Sequence, residues 1–187
     1  MNWNIPLKAY ANIDKYTRME LDHLNKGVLI LCELTGNTPE HYESLPLKEL
    51  TVKVAEAFKF IAKTPELPLK PYFTFKGRRY KFALNLEEIN YGDFEGISAL
   101  KLTPETLAEN FHYILAQIAK PADKWWKFKK AETFTAKAEK FKDLPCTIGI
   151  PVALFFWNLA TELSPLVIDK ANEILKKLNS DLTSPRT

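Results

Sequence analysis

The sequence is poor in the residues that build metal sites, catalytic centres and phosphate-binding loops. Its three histidines, His23, His41 and His112, are scattered without metal-ligand spacing. The six glycines form neither a phosphate-cradling loop nor a dinucleotide-binding fingerprint, and no GxSxG nucleophile motif is present. These absences predict a protein that is not an enzyme, with no catalytic residues, no cofactor and no metal.

Cysteine is equally scarce, which argues against a disulfide framework. The two cysteines, Cys32 and Cys146, lie far apart in apolar runs. They are interpreted as reduced, buried thiols of a cytosolic protein. The N-terminal stretch MNWNIPLKAYANIDKY has no charged start followed by an apolar segment, so no signal peptide is predicted.

No excess of one charge dominates the chain. The 26 basic and 23 acidic side chains give a formal net charge of +3, too even to require a polyanionic partner. The one long uncharged stretch, residues 144–161, contains Pro145, Gly149, Pro151 and Asn158. These interruptions favour a buried helix over a membrane span, and no membrane association is predicted.

Apolar residues recur mainly at helical spacing. They predict a mainly α fold, a helical bundle of about six to eight helices with one inserted β-hairpin. A proline-rich connection at residues 65–71 divides an N-terminal helical lobe, residues 1–66, from a hairpin and C-terminal helical lobe, residues 67–187, although the two could form one continuous domain. Three helices are each predicted to bury a stripe of apolar residues along one face. The first stripe is Leu21, Leu24, Val28, Leu31 and Cys32, the second is Leu47, Leu50, Val54, Phe58 and Ile61, and the third is Leu107, Phe111, Ile114, Leu115 and Ile118.

Several helix ends are also predicted. Gly36 suits a left-handed position just after the first stripe. Thr38 caps a short helix that begins at Pro39. Thr103 is predicted to cap the third-stripe helix, and Pro121 to end it.

The stretch FTFKGRRYKF predicts the hairpin. With Lys76 and Gly77 as a two-residue turn, Phe75 pairs with Arg78 and Phe73 with Tyr80. The rings of Phe73, Phe75, Tyr80 and Phe82 then share one face. Burying such rings against helices is worth roughly several kcal/mol, so we expect this face to be covered.

Two stretches interleave cations with aromatic rings and could contact a polyanion. The hairpin supplies Lys76, Arg78, Arg79 and Lys81, and a second stretch from Lys120 to Lys142 surrounds Trp125 and Trp126. Four acidic residues in or beside the second stretch dilute it: Asp123, Glu132, Glu139 and Asp143. Solvation of outward faces explains both stretches. A nucleic-acid partner is therefore disfavoured.

Protein–protein association is the function class that the composition favours. The densest large apolar side chains are predicted to anchor a partner. These residues are Trp125, Trp126, Phe155, Phe156 and Trp157. Burial of the same rings in the chain's own core is an equally good interpretation.

Several segments, taken in order over residues 9–163, resemble the small morphogenesis proteins of tailed bacteriophages, notably those of Bacteroides-type hosts. The segments are YANIDKY, LILCELTGNTPEHYESLPLKEL, FTFKGRRYKFALNLEEINYGDF, LAENFHYILAQIAKP and FKDLPCTIGIPVALFFWNLATEL. Such proteins are described as tail assembly chaperones or virion-associated proteins. One departure is that Lys120-Pro121 opens a stretch rich in lysine and tryptophan, where the family tends to have Arg-Pro and acidic residues.

The resemblance implies a non-enzymatic assembly protein, chaperone or adaptor, that binds other phage structural or tail proteins. It implies a location in the cytoplasm of the infected bacterial host, or incorporation in the virion. A structural subunit of the particle, at the tail or near the portal, is the alternative, and a nucleic-acid-binding accessory protein is a second one. Self-association into a homo-oligomer is left open.

Overall fold

A computed structural model describes residues 2–63, 67–84, 90–122 and 132–162. The chain divides into two compact units, residues 1–153 and 154–187. The described helices and strands are α1 (Leu7–Arg18), α2 (His23–Thr35), α3 (Pro39–Glu43), α4 (Leu47–Ile61), β1 (Tyr72–Phe75), β2 (Arg78–Phe82), α5 (Tyr91–Ala99), α6 (Leu107–Ile118), β3 (Ala119–Pro121), α7 (Phe134–Phe141) and α8 (146–162).

These elements confirm the predicted mainly α fold with an inserted hairpin. The described residues contain eight helices and one antiparallel sheet of three strands, in the order β1-β2-β3. Strand β3 was not predicted. It pairs Ala119 with Phe82 and Pro121 with Tyr80, and a proline is tolerated there because β3 is an edge strand.

Helices α2 and α4 approach closely because a glycine lies where they meet. A Cβ atom at Gly27 would fall 2.2 Å from Cγ1 of Val54. Helix α2 begins with the Asp22 carboxylate accepting hydrogen bonds from the amides of Leu24 and Asn25, each at 3.0 Å. It ends at Gly36 with φ at +76°, which confirms the predicted left-handed position.

Helix α1 begins without a side-chain cap. Instead, the amides of Leu7 and Lys8 donate to the carbonyls of Leu144 and Lys142, both at 2.9 Å. The amide of Cys146 in turn donates to the carbonyl of Ile5 at 2.8 Å. The loop after α7 therefore satisfies the first amides of α1 and fixes the N-terminal segment to residues 142–146.

Helix α6 lies at the centre of the first unit. All five residues of its predicted stripe are buried, which confirms that prediction. The predicted start at Thr103 is wrong, because residues 104–106 form a turn and the helix begins at Leu107 after Thr106. The helix ends at Ile118, before Pro121, because the chain enters β3 at Ala119.

In the other two predicted stripes, the middle residues are buried as predicted, but the first residue of each is exposed. Leu31, Leu50 and Val54 are buried, but Leu21 precedes α2 and is 38% exposed, and Leu47, the first residue of α4, is 68% exposed. Thr38 does precede a helix that begins at Pro39, although its side chain does not cap the first amides.

Two further predictions concern the lobe boundary and membrane association. The predicted lobe boundary after residue 66 adjoins residues 64–66, which lie outside them, and it stays a prediction. Within the described residues, no helix combines the length and the apolar character needed to cross a bilayer.

Candidate functional site

The inner face of the hairpin is covered at three of its four predicted rings, whereas Phe75, next to the turn, is half-buried. Lys76 and Gly77 form the turn with φ of +45° and +72°, and the register pairs Phe73 with Tyr80 as predicted. The Phe73 ring stacks on Tyr80 and Phe82 at 5.1 and 4.7 Å, and Phe73 and Tyr80 also meet Phe141 of α7. Because Tyr80 and Phe82 are fully buried and Phe73 is 7% exposed, these rings are unavailable for stacking on bases.

A charged network seals the sheet against α7. The Glu132 carboxylate accepts hydrogen bonds from Nη1 of Arg78 and from the Tyr80 hydroxyl, both at 3.1 Å, and Lys140 Nζ donates to that hydroxyl at 2.6 Å. Burial raises the pKa of Glu132, but Lys140, Tyr80 and Arg78 outweigh it and lower the pKa overall. In the sequence, Glu132 was noted only as a residue that dilutes a basic stretch. Its pairing with Tyr80, 52 residues away, was missed because nothing local marks it.

Strand β3 is held by two lysines. Lys137 of α7 donates to the carbonyl of Ala119 at 2.9 Å, and Lys120 pairs with Asp93 of α5 at 2.6 Å. Burial lowers the pKa of Lys137, and the nearby carboxylates of Glu132 and Asp93 oppose that effect. The arrangement is structural: both ammonium groups have partners that fasten the edge of the sheet.

The four hairpin cations predicted to contact a polyanion divide into two pairs. Lys76 pairs with Asp143 at 2.7 Å and Arg78 with Glu132 at 3.1 Å, so each is offset by a carboxylate. Arg79 lies over the ring of Tyr72, with Cζ 5.1 Å from the centroid, on the exposed side of the hairpin. Lys81, on that same side of β2, is half-buried.

Asp143 links the hairpin turn to the start of α1. Its two oxygens accept from Lys76 at 2.7 Å and from Lys8 at 2.8 Å. These hydrogen bonds hold the pKa of Asp143 below its usual value. Asp143 was noted in the sequence only as a residue that dilutes a basic stretch.

A cleft of about 300 Å³ lies between α1 and α6, beside Lys142. Its lining combines small apolar residues with Lys8, Lys15, Glu109 and His112. His112 is 8% exposed, and its Nε2 atom has no hydrogen-bond partner among the residues that the structure describes. Burial and the neighbouring Lys142 lower the pKa of His112 to about 4, so it is neutral near pH 7.

The charges around this cleft offset one another. Lys8 pairs with Asp143 and Lys142 with Glu139, while Lys15 and Glu109 contribute one charge of each sign. The Nε2 atom of His112 is enclosed, so the histidine does not offer a proton-transfer group to the cleft.

Three of the five predicted partner-binding rings lie in the described residues. Phe155, Phe156 and Trp157 are consecutive on α8, within the second unit. Phe156 is 2% exposed, whereas Phe155 and Trp157 are half-buried. Trp125 and Trp126 fall outside the described ranges.

The cysteines do not form a reactive site. Burial raises the pKa of Cys146 to about 12, and burial also raises the pKa of Cys32. Cys146 is fully buried as predicted, but Cys32 is only half-buried. Among the described residues, no cluster of three or more His, Cys, Asp or Glu side chains could hold a metal ion.

Comparison of the chain with protein-family models, with curated proteins and with solved structures finds no match.

Proposed function

We propose that this protein acts by binding other proteins, as an assembly chaperone or adaptor for the tail or virion of a bacteriophage. The protein-binding part rests on the described residues. The bacteriophage part rests on the sequence resemblance over residues 9–163.

The observation that carries the proposal is the run of rings on α8. Successive residues of an α-helix are separated by about 100°, so Phe155 and Trp157 project about 200° apart. A single flat surface cannot cover both sides of a helix. Phe155 and Trp157 remain half-buried on either side of the buried Phe156, and aromatic rings, Trp above all, are enriched at protein interfaces.

The rest of the described chain also favours a protein that works by binding other proteins. The hairpin rings serve packing, and the Glu132 network fastens the sheet to α7. Asp143 and Glu132 form ion pairs that hold elements in place.

The test measures binding to the phage structural proteins encoded beside this chain. Each purified protein is titrated with the wild type and with Trp157→Ala, Phe155→Ala and Asn158→Ala. Asn158 is exposed on the same helix and serves as the matched control. We expect a dissociation constant near micromolar or below for one partner and a loss of at least tenfold for Trp157→Ala, because truncating an interface Trp costs about 2 kcal/mol or more.

Circular dichroism must show equal helicity for all variants. If no neighbouring structural protein binds, or if Trp157→Ala and Asn158→Ala bind equally well, the proposal is wrong. Mass spectrometry of purified particles then separates the two assembly roles. A stoichiometric presence in the particle would indicate a structural subunit, and absence from it an assembly chaperone.

A further inference from the structure

Strand β1 has an open edge. It lies at the border of the sheet, and no strand pairs with its outer side among the residues that the structure describes. The amide of Phe82 donates to the carbonyl of Pro71 at 2.8 Å. Because bonded pairs alternate in an antiparallel ladder, Phe73 and Phe75 also bond to β2, and the amide and carbonyl groups of Tyr72 and Thr74 face outward.

The side chains around this edge are exposed and partly apolar. Tyr72 is 45% exposed and Leu69, just before the strand, is 39% exposed. Thr74 is exposed as well. An incoming strand would therefore find both unpaired main-chain groups and apolar surface.

The charge of this region has one sign. Residues 67–84 contain five cations, Lys70, Lys76, Arg78, Arg79 and Lys81, and no carboxylate. Asp143 and Glu132 offset Lys76 and Arg78 from elsewhere in the chain. Arg79 extends across the exposed face toward β1, because its guanidinium lies over the Tyr72 ring, and Lys70 is exposed next to the start of the strand.

We infer that the outer edge of β1 binds an extended, acidic segment of a partner protein, which adds a fourth strand to the sheet. Tyr72 and Thr74 would supply main-chain hydrogen bonds, and Arg79 and Lys70 would pair with carboxylates of the segment. The inference rests on the proposed function in that the partner is a protein, and it names the chemical class of the segment bound.

Two other occupants suit the edge less well. A second copy of the chain would bring its own cations against Lys70 and Arg79, and like charges on adjacent strands destabilise pairing. A single-stranded nucleic acid would need exposed rings for base stacking, but Phe73, Tyr80 and Phe82 are buried. Phe75 is half-buried with Lys76 over its ring, and Arg79 covers one side of Tyr72.

The experiment uses the full chain and three fluorescent probes: a peptide of four Glu-Val repeats, its Lys-Val counterpart, and oligothymidylate. The variants are Thr74→Pro, which removes an outward amide, and Arg79→Glu. Lys59→Glu is the matched charge control, because Lys59 is exposed on α4. Circular dichroism and thermal unfolding check that each variant folds.

We expect the acidic peptide to bind the wild type and Lys59→Glu alike, and to bind Thr74→Pro and Arg79→Glu at least tenfold more weakly. The basic peptide should not bind. Hydrogen exchange gives a second readout that does not depend on the proline variant. The amides of Tyr72 and Thr74 should exchange more slowly when the acidic peptide is added, while those of Phe73 and Phe75 stay unchanged.

Several results would overturn the inference: no binding of the acidic peptide, equal binding of both peptides, or unchanged exchange at Tyr72 and Thr74. Preferential binding of oligothymidylate that Arg79→Glu abolishes would assign the face to nucleic acid. Concentration-dependent dimers lost in Thr74→Pro would assign the edge to a second copy. Trp157→Ala should leave peptide binding intact, so failure at this edge is distinguishable from failure of the proposed α8 interface.

Discussion

His112 is kept neutral by its position inside the first unit. Lys142 and Glu139 act on it from the α7 side and the backbone of Glu109 from its own helix, while Lys8 and Lys15 of α1 line the same cleft. Burial is the largest cause of its low pKa, because a charged imidazole loses its hydration there. Protonation of His112 is therefore unfavourable in the folded state, so His112 should lower the stability of the fold at acidic pH.

The first prediction concerns stability against pH. The unfolded chain binds a proton at His112 near pH 6.5, but the folded chain does so only near pH 4. The unfolded state therefore binds more protons between these values, and the free energy of unfolding should fall by roughly 2–3 kcal/mol as the pH drops from 7 to 4. Urea unfolding at several pH values measures this loss.

His112→Leu should remove that part of the pH dependence and raise stability at pH 5, because it also removes a buried nitrogen that has no partner in the described part of the chain. His41→Leu is the control, since His41 is exposed. Glu132 and Asp143, whose pKa values are lowered in the folded state, also stabilise the fold less as the pH falls. Their effect is the same in the wild type and in His112→Leu. If His112→Leu and the wild type give parallel curves between pH 6.5 and 4, the interpretation of His112 is wrong.

At the scale of elements, the contact between α2 and α4 depends on a missing side chain. Gly27→Ala would improve the helix propensity of α2 by about 1 kcal/mol. It would also place a methyl group 2.2 Å from Cγ1 of Val54, and overpacking of this kind costs about 1–3 kcal/mol. We therefore expect a net loss of stability, measured by urea unfolding.

The double variant Gly27→Ala/Val54→Ala tests the cause. If the clash with the Val54 methyl groups is responsible, Gly27→Ala should cost less once Val54 is shortened to alanine, although the remaining Cβ of residue 54, 2.9 Å away, must still shift. Gly36→Ala is the matched control, because none of the described residues lies within 4 Å of its Cβ position and its cost comes from a φ of +76°. A cost for Gly27→Ala that stays the same in the Val54→Ala background would contradict the explanation.

The elements also show what sequence patterns can and cannot predict. The hairpin register was predictable because Lys76 and Gly77 fix the turn and the alternation of rings fixes the face. Strand β3 was not, because its three residues are defined only by pairing with a strand far away in the chain. The start of α6 was misplaced because Thr103-Pro104 has the composition of a helix start but forms a separate turn before Thr106.

The contacts that hold the hairpin in place join residues that are far apart in the chain. Asp143 reaches both Lys8 and Lys76, and Glu132 reaches Arg78 and Tyr80. Local patterns identified rings and cations as candidates, but they did not separate the buried Phe156 from its half-buried neighbours. They could not show which cations are offset by carboxylates, because that depends on how α7 and the hairpin pack.

The last prediction concerns the coupling between the N-terminal segment and the loop after α7. Leu7 is 3% exposed, and its amide bonds to Leu144 while Cys146 bonds to Ile5. Leu7→Ala should lower the free energy of unfolding by about 2–5 kcal/mol, since it leaves a cavity in the core. Leu47→Ala makes the same change at a residue that is 68% exposed, and it should stay within about 0.5 kcal/mol of the wild type.

Thiol labelling shows whether the two segments open together. Cys146 is fully buried and its pKa is raised to about 12, so it reacts only when its surroundings open. Leu7→Ala should speed its labelling at least tenfold, whereas Leu47→Ala should not, and the half-buried Cys32 serves as the internal reference. Lower stability with unchanged labelling of Cys146 would mean that residues 142–146 stay closed without the N-terminal segment, and that α1 does not depend on this loop for its position.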